Sequence, residues 1–296
     1  MSFTVHEPSS RLGLGPLLAP LVVPATLVCA LAYGYADVYF PLDMPLASII
    51  LLGAYTFAIV VVVTQVRVWG RVQSAGFMLA LGPVAGLFAL YAAWAAFAAA
   101  LLAKSARFDE RAPAYLDLLL RPDVVWRLAL AVNEQGWFTI RSLTPSGVAL
   151  WILWAIEAVV IVGGTTAAVW VTVEDQVFCE GCQTWCLADL RRPFFDAPRD
   201  LARLQPAIRG DPGSLAALEA LERVSEDTSR FLSVELHRCP ACKQFATSIL
   251  RLEVITWVRG KRSTRKTDLS PRFVVDPETY ERLASLGKRP EPPPEA

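Results

Sequence analysis

Val171-Thr172-Val173-Glu174-Asp175-Gln176-Val177-Phe178-Cys179-Glu180-Gly181-Cys182 is the stretch on which the architecture turns. Its first residues end a long apolar run, and its last are a Cys-x-x-Cys couple that returns downstream as Cys239-Pro240-Ala241-Cys242. Two such couples let two backbone knuckles each offer a pair of sulfurs to one tetrahedral ion, the arrangement of a structural zinc site. The expectation is a metal-stabilised domain hung directly from a membrane helix.

Upstream of this junction the chain is built for lipid. Hydrophobic residues make up 54% of its 296 residues, above the roughly 45–50% of soluble domains. The excess lies in segments 12–36, 44–66, 72–103 and 142–173, where Glu157 is the only charge. At about 1.5 Å per residue each can cross a hydrocarbon core of roughly 30 Å as a helix. The first reads as a retained helix rather than a signal peptide: it lacks a compact positive start and a clean small-residue cleavage site, and Pro16, Pro20 and Pro24 interrupt its beginning. Tyr33, Tyr35, Tyr39, Phe40, Trp69, Trp151 and Trp170 mark headgroup levels. The fold class expected is an α-helical membrane protein of four transmembrane helices (1–173) carrying a small α+β cytosolic zinc-ribbon-like domain (174–287), with a disordered Pro-rich tail (288–296).

Orientation follows from the connections. Arg67 and Arg71 make the second positive, whereas the first holds Asp37 and Asp43. That places the second connection and, by alternation, both termini in the cytoplasm of a bacterial inner membrane. Redox chemistry agrees, because thiolates meant for a metal persist in a reducing compartment.

Within the spans, Ala92, Ala96 and Ala100 on the third, and Gly163 and Ala167 on the fourth, recur at four-residue spacing. Such faces let backbones approach and are expected to pack the bundle, with homo-oligomerisation as their other use. Gly82-Pro83 is expected to kink the third helix. Glu157 must face the bundle, be protonated, or find a partner such as Tyr91 or Tyr55. Between the third and fourth spans, 104–144 is an extracytoplasmic loop whose segment 122–136 reads as a surface helix, with Val124, Val125, Leu128 and Val132 on one face and Gly136 as its stop. Trp126, Trp137 and Phe138 set it along the membrane surface.

In the second half, Phe231-Leu232-Ser233-Val234-Glu235-Leu236-His237 alternates apolar and polar positions, as does 248–258. Two strands therefore flank Cys239-Pro240-Ala241-Cys242, which becomes the tip of a hairpin. These cysteine segments and their strands resemble a zinc ribbon of the rubredoxin-like kind. The resemblance implies Cys179, Cys182, Cys239 and Cys242 as ligands of one structural zinc. This chain departs from the pattern in having Gln183 where many ribbons have glycine, and in a long helical insertion between the couples, with Ser214 as N-cap before Leu215, Leu218 and Leu221. Cys186 and His237 are spare ligands. Iron or a redox couple is the competing use of the thiols, although a dithiol oxidoreductase calls for a cysteine at a helix start.

Arg259-Gly260-Lys261-Arg262-Ser263-Thr264-Arg265-Lys266 reads as a solvated basic loop, and 276–287 as a capped helix ending at Gly287. No phosphate-binding glycine loop and no His-Glu-x-x-His occur, and His6 and His237 are the only histidines. A formal net charge of +0 argues against a nucleic-acid partner. The function expected is non-enzymatic: a membrane-anchored adaptor presenting its zinc domain to a cytosolic protein partner. A small transporter or proton-coupled protein using Glu157, and a thiol or iron redox sensor, are the alternatives.

Overall fold

The computed structural model describes residues 4–6, 9–39, 45–105, 114–136, 144–174, 176–189, 194–197, 201–211, 214–221, 229–258 and 261–286. Phe40, Asp43, Trp137, Phe138, Arg259, Gly260, Gly287 and the tail 288–296 lie outside them. By contact the chain forms two compact units, Ser10–Asp175 and a second made of Met1–Ser9 with Gln176–Ala296.

The first unit holds four helices long and apolar enough to cross a membrane, Gly15–Tyr39, Ala47–Gly70, Ala75–Ser105 and Val148–Val173. The first span opens with a turn at Gly15–Leu18 and a 3₁₀ turn at Ala19–Leu21 before its regular helix, as its prolines require. The third span is central: 61% of its most apolar window is buried, against 22% in each of the others. Its alanines explain this, since Ala92, Ala96 and Ala100 are all fully buried and let neighbouring backbones close in. Gly34 of the first span sits so near the third that an added Cβ would lie 2.5 Å from the Phe97 nitrogen. Pro83 is accommodated within the helix.

The fourth span corrects two expectations. Gly163 and Ala167 point away from the bundle, and Ile161, Thr165 and Val169 are buried instead. Gly163 and Ala167 stand two residues out of step with these, on the opposite side of the helix, and a π-helical segment runs through Val159–Gly163. Arg67 is also spent differently: buried at the end of the second span, its guanidinium donates to the carbonyls of Thr172 and Val173 and caps the fourth span's C-terminus.

Outside the spans, Pro122–Gln135 forms the expected helix, with Val125, Ala129, Val132 and Asn133 buried. Gly136 ends it at φ 82°, where a Cβ would meet Thr144 at 2.3 Å. Asn133 fastens it to the start of the fourth span, its Nδ2 donating to the Gly147 carbonyl at 2.9 Å. A short helix at Tyr115–Leu119 has no sequence signal strong enough to announce it.

The second unit is an antiparallel sheet covered by helices on one face. Its strands are β1 (Thr4–Val5), β4 (Leu187–Ala188), β5 (Phe194–Asp196), β6 (Arg230–Arg238), β7 (Ala246–Val258), β8 (Lys261–Asp268) and β9 (Phe273–Val275), in order β1-β9-β7-β6-β4, with β5 beside β6 and β8 beside β7. β2 (Phe178–Cys179) and β3 (Thr184–Trp185) pair separately. The expected central hairpin is present, β6 and β7 pairing from Arg230↔Val254 to Arg238↔Ala246. Leu232, Val234 and Leu236 of β6 and Leu250 of β7 meet Leu215 and Leu218 of the helical insertion and Tyr280 and Leu283 of the helix Pro277–Leu286. Asp276 caps that last helix, accepting from the Thr279 backbone N–H at 2.8 Å, which holds its carboxyl below the usual range.

Three further readings change. Ser214 does not N-cap with its oxygen: the hydroxyl donates to the carbonyls of Pro206 and Asp211. The basic segment is not a loop, since Lys261–Asp268 is the strand β8. Finally, the chain's N-terminal residues, read with the membrane half, form β1 against β9, Thr4 facing Val274.

A contrast between glycines tests the packing. Gly34→Ala should lower the thermal midpoint of the detergent-solubilised protein, by the overpacking cost of about 1–3 kcal/mol, because a backbone atom blocks the new methyl. Gly53→Ala, with nothing within 4 Å, should leave the midpoint unchanged. Equal midpoints for the two variants would contradict the close approach.

Candidate metal centre

Each cysteine couple occupies a turn held by backbone bonds. In the first, β2 and β3 pair Cys179 with Thr184, leaving Glu180 to Gln183 as the turn. In the second, the Cys239 N–H donates to the Phe245 carbonyl at 2.9 Å and the Lys243 N–H to the Cys239 carbonyl at 3.1 Å. The residue following each couple adopts the left-handed conformation, Gln183 at φ 52° and Lys243 at φ 56°. The position at which this chain departs from the ribbon pattern thus keeps the backbone geometry that makes glycine common there. Gln183 offsets part of the strain by donating its side-chain amide to the Glu180 carbonyl at 2.8 Å.

The two turns bring Cys179, Cys182, Cys239 and Cys242 together, their sulfurs all within 4.8 Å of one another. Cys179 and Cys239 are buried, and Cys182 and Cys242 are partly exposed. An ion with four tetrahedral Zn–S bonds of about 2.3 Å spaces the sulfurs about 3.8 Å apart, inside the observed limit. The donor set also fits: four soft sulfurs suit zinc or iron and disfavour hard cations.

Electrostatics at the site call for a cation. The backbone N–H groups of Phe245 and Gln244 stabilise the thiolate of Cys242 and pull its pKa down to about 6, with the Phe245 nitrogen 3.5 Å from the sulfur. The Cys182 thiol is pushed up to about 12, chiefly by its hydrogen bond with Cys242, and burial raises Cys179. One thiolate is therefore favoured beside the raised thiols of Cys182 and Cys179. Four together require a positive charge between them.

The spare ligands stand elsewhere. Cys186 lies in the same buried cluster, its thiol pushed up to about 12 by burial, but it is outside the four-sulfur set. His237 is buried on β6 with Nδ1 2.7 Å from an Arg272 Nη1 and Nε2 3.4 Å from Glu235 Oε1. Since Arg272 can only donate, His237 carries its proton on Nε2 and directs it to Glu235. Glu235 also pairs with Arg251, which reaches Asp268 at 2.7 Å.

A contact that the sequence did not announce lies beside the second turn. The His6 ring meets Phe245 edge-on at 5.9 Å, while the His6 N–H donates to the Arg272 carbonyl at 2.7 Å. Burial lowers the His6 pKa, and Arg272 lowers it further. The β-branched residues Thr4 and Val5 were the only local hint of this strand.

Glu157 lies in the other unit and finds neither expected partner. Tyr33 of the first span donates to its Oε1 at 2.9 Å, while Tyr55 donates to the Ala89 carbonyl and Tyr91 to the Leu119 carbonyl. Tyr33 and Tyr55 stack at 4.5 Å. Asp37 and Glu157 line a common small cavity of about 10 Å³, close to the space of one water.

No protein-family model, curated protein or solved structure matches the chain. The conclusions available are therefore those of geometry: four membrane-length apolar helices and a four-cysteine cluster able to hold a metal ion.

The left-handed positions yield a substitution that should improve the site. Gln183→Gly and Lys243→Gly each relieve a conformation that costs an ordinary residue roughly 1–2 kcal/mol, less the extra freedom glycine has when unfolded. The net gain expected is up to about 1 kcal/mol, read as resistance of the metal-loaded full chain to a competing chelator. Weaker metal retention in Lys243→Gly, which loses no side-chain bond to its own turn, would contradict the assignment.

Proposed function

We propose that this chain is a bacterial inner-membrane protein whose cytosolic domain is closed by one structural zinc and docks a cytosolic protein partner at the membrane. The observation that carries the reading is the four-sulfur set, all supplied by the protein. Four protein ligands fill a tetrahedral ion and leave no position for substrate, so the metal's work is to join two turns that are distant in sequence. Both turns are strand-borne, which disfavours a dithiol oxidoreductase.

The pairing of β1 with β9 supports the orientation. β1 precedes the first span and β9 follows the fourth, and their pairing is compatible with an even number of crossings that leaves both flanks on one side. Thiols kept for a metal favour the cytosol for that side. On the same domain β8 pairs only with β7 among the described residues, and residues 263–266 are exposed with Arg265 and Lys266 among them. Such a basic edge blunts self-association and suits a partner with an acidic surface.

A second reading rests on Asp37 and Glu157 lining one cavity with Tyr33. Two carboxyls so placed can share a proton within an apolar bundle, which would serve proton-coupled transport.

Metal removal tests the first reading. The purified protein should carry about one zinc per chain, and Cys239→Ser should release it, leave membrane insertion intact and make 176–296 sensitive to protease, since zinc binding is coupled to folding. Cross-linking in intact membranes should capture one stoichiometric protein with the parent chain and lose it with Cys239→Ser. Metal-free protein with an equally resistant C-terminal half would refute the reading.

Glu157→Gln separates the two readings. As a satisfied interhelical group, Glu157 should tolerate the change at a cost of about 0.6 kcal/mol, with partner capture retained. A variant that inserts, keeps zinc and keeps its partner but loses a pH-dependent cellular phenotype would favour proton coupling.

A further inference from the structure

Among the described residues β8 is the longest strand at an edge of the sheet: it pairs with β7 along all 8 of its residues and with no strand on its other side. In an antiparallel ladder alternate residues aim their N–H and C=O groups outward, so this edge presents a row of directional donors and acceptors. Residues 263–268 are all exposed, so the described chain leaves the row open.

The sequence sets charge along this edge in a fixed order. Lys261, Arg262, Arg265 and Lys266 are basic, Ser263 and Thr264 between them are neutral, and the strand's one acid, Asp268, is already paired with Arg251 at 2.7 Å. Arg265 and Lys266 form no ion pair among the described residues. In register Lys266 stands opposite Glu253, but that carboxylate accepts from the Ser233 hydroxyl at 2.6 Å instead. The cations are thus left for charge that the described chain does not supply.

We propose that the open edge of β8 receives an extended acidic segment of the cytosolic partner as an added antiparallel strand. This rests on the docking reading above and names the chemistry that the partner brings. Main-chain bonds hold the segment, and the charge order selects it. Acids opposite 261, 262, 265 and 266 balance the four cations, with neutral residues opposite 263 and 264, so the segment reads acid-acid-x-x-acid-acid. Each matched pair strengthens binding up to about fivefold. A second copy of β8 fits worse: paired antiparallel about its centre, it sets 261 against 266 and 262 against 265, like charges directly opposite, and a shifted register leaves the cations unmatched. A lipid or nucleic-acid phosphate meets the cations but cannot continue the ladder, since it brings no row of alternating N–H and C=O groups.

The test titrates the full chain, held in nanodiscs of zwitterionic lipid, with a fluorescent peptide of sequence Thr-Glu-Glu-Val-Thr-Glu-Glu-Thr, the thermal midpoint serving as the check on folding. Binding should slow hydrogen exchange of the β8 amides and weaken as salt rises. It should fall at least tenfold with Arg265→Glu and Lys266→Glu together, or about fivefold with Arg265→Thr and Lys266→Thr if the reversed variant does not fold. The same peptide with every backbone nitrogen methylated keeps its charge and cannot donate to the ladder, so it should not bind. Failure of the unmethylated peptide to bind, equal binding of the methylated one, or protection at amides other than those of β8 would overturn the proposal. If anionic lipid in the nanodisc slows the β8 amides and the peptide does not, the edge serves the bilayer and the proposal fails. The titration decides this inference whether or not cross-linking captures a cellular partner, so the two readings fail separately.

Discussion

Four cysteine sulfurs confined within one small volume are the constraint on which the soluble half depends. Thiolates repel one another, and the N–H groups of a turn can stabilise one of them, as Phe245 and Gln244 do for Cys242, but not all four. A cation converts this conflict into a crosslink. That crosslink matters because of what each turn is attached to. The first follows the fourth membrane helix almost directly, and the second is the tip of the longest hairpin in the sheet. Between them run the insertion helices whose Leu215 and Leu218 cover that hairpin. Fixing the two turns therefore fixes the ends of the insertion and the core it closes.

The membrane unit rests on a different economy, that of size. Lipid gives helices no hydrophobic reason to associate, so they gather around the one with the smallest side chains. The alanines of the third span fill that role, and Gly34 brings the first span against it. Polar groups are then tied internally: Tyr33 to Glu157, Tyr55 to a backbone carbonyl, Arg67 to the last carbonyls of the fourth span. Each would be costly if left facing hydrocarbon.

What could be read beforehand follows from these two economies. Twenty uncharged residues have few soluble alternatives, and a Cys-x-x-Cys pair flanked by alternating strands has few meanings, so the four membrane-length helices, the central hairpin and the four clustered sulfurs were legible. The facing of Gly163 and Ala167 was not, because small residues at four-residue spacing suit either side of a helix, and only the assembled bundle selects Ile161, Thr165 and Val169. Tyr33 was missed as the partner of Glu157 because it lies 124 residues away and two tyrosines nearer the expected site competed for the role. β1, β4 and β5 span two or three residues each. Strands that short take their structure from the neighbour they join, which only the assembled sheet reveals.

The marriage of β1 to β9 also orders events during synthesis. Residues 4–5 leave the ribosome before the four apolar helices, and their partners at 273–275 leave after them. The pairing of β1 with β9 cannot form until then. A two-residue strand thus closes onto its neighbour only after the longest helices of the chain have been made.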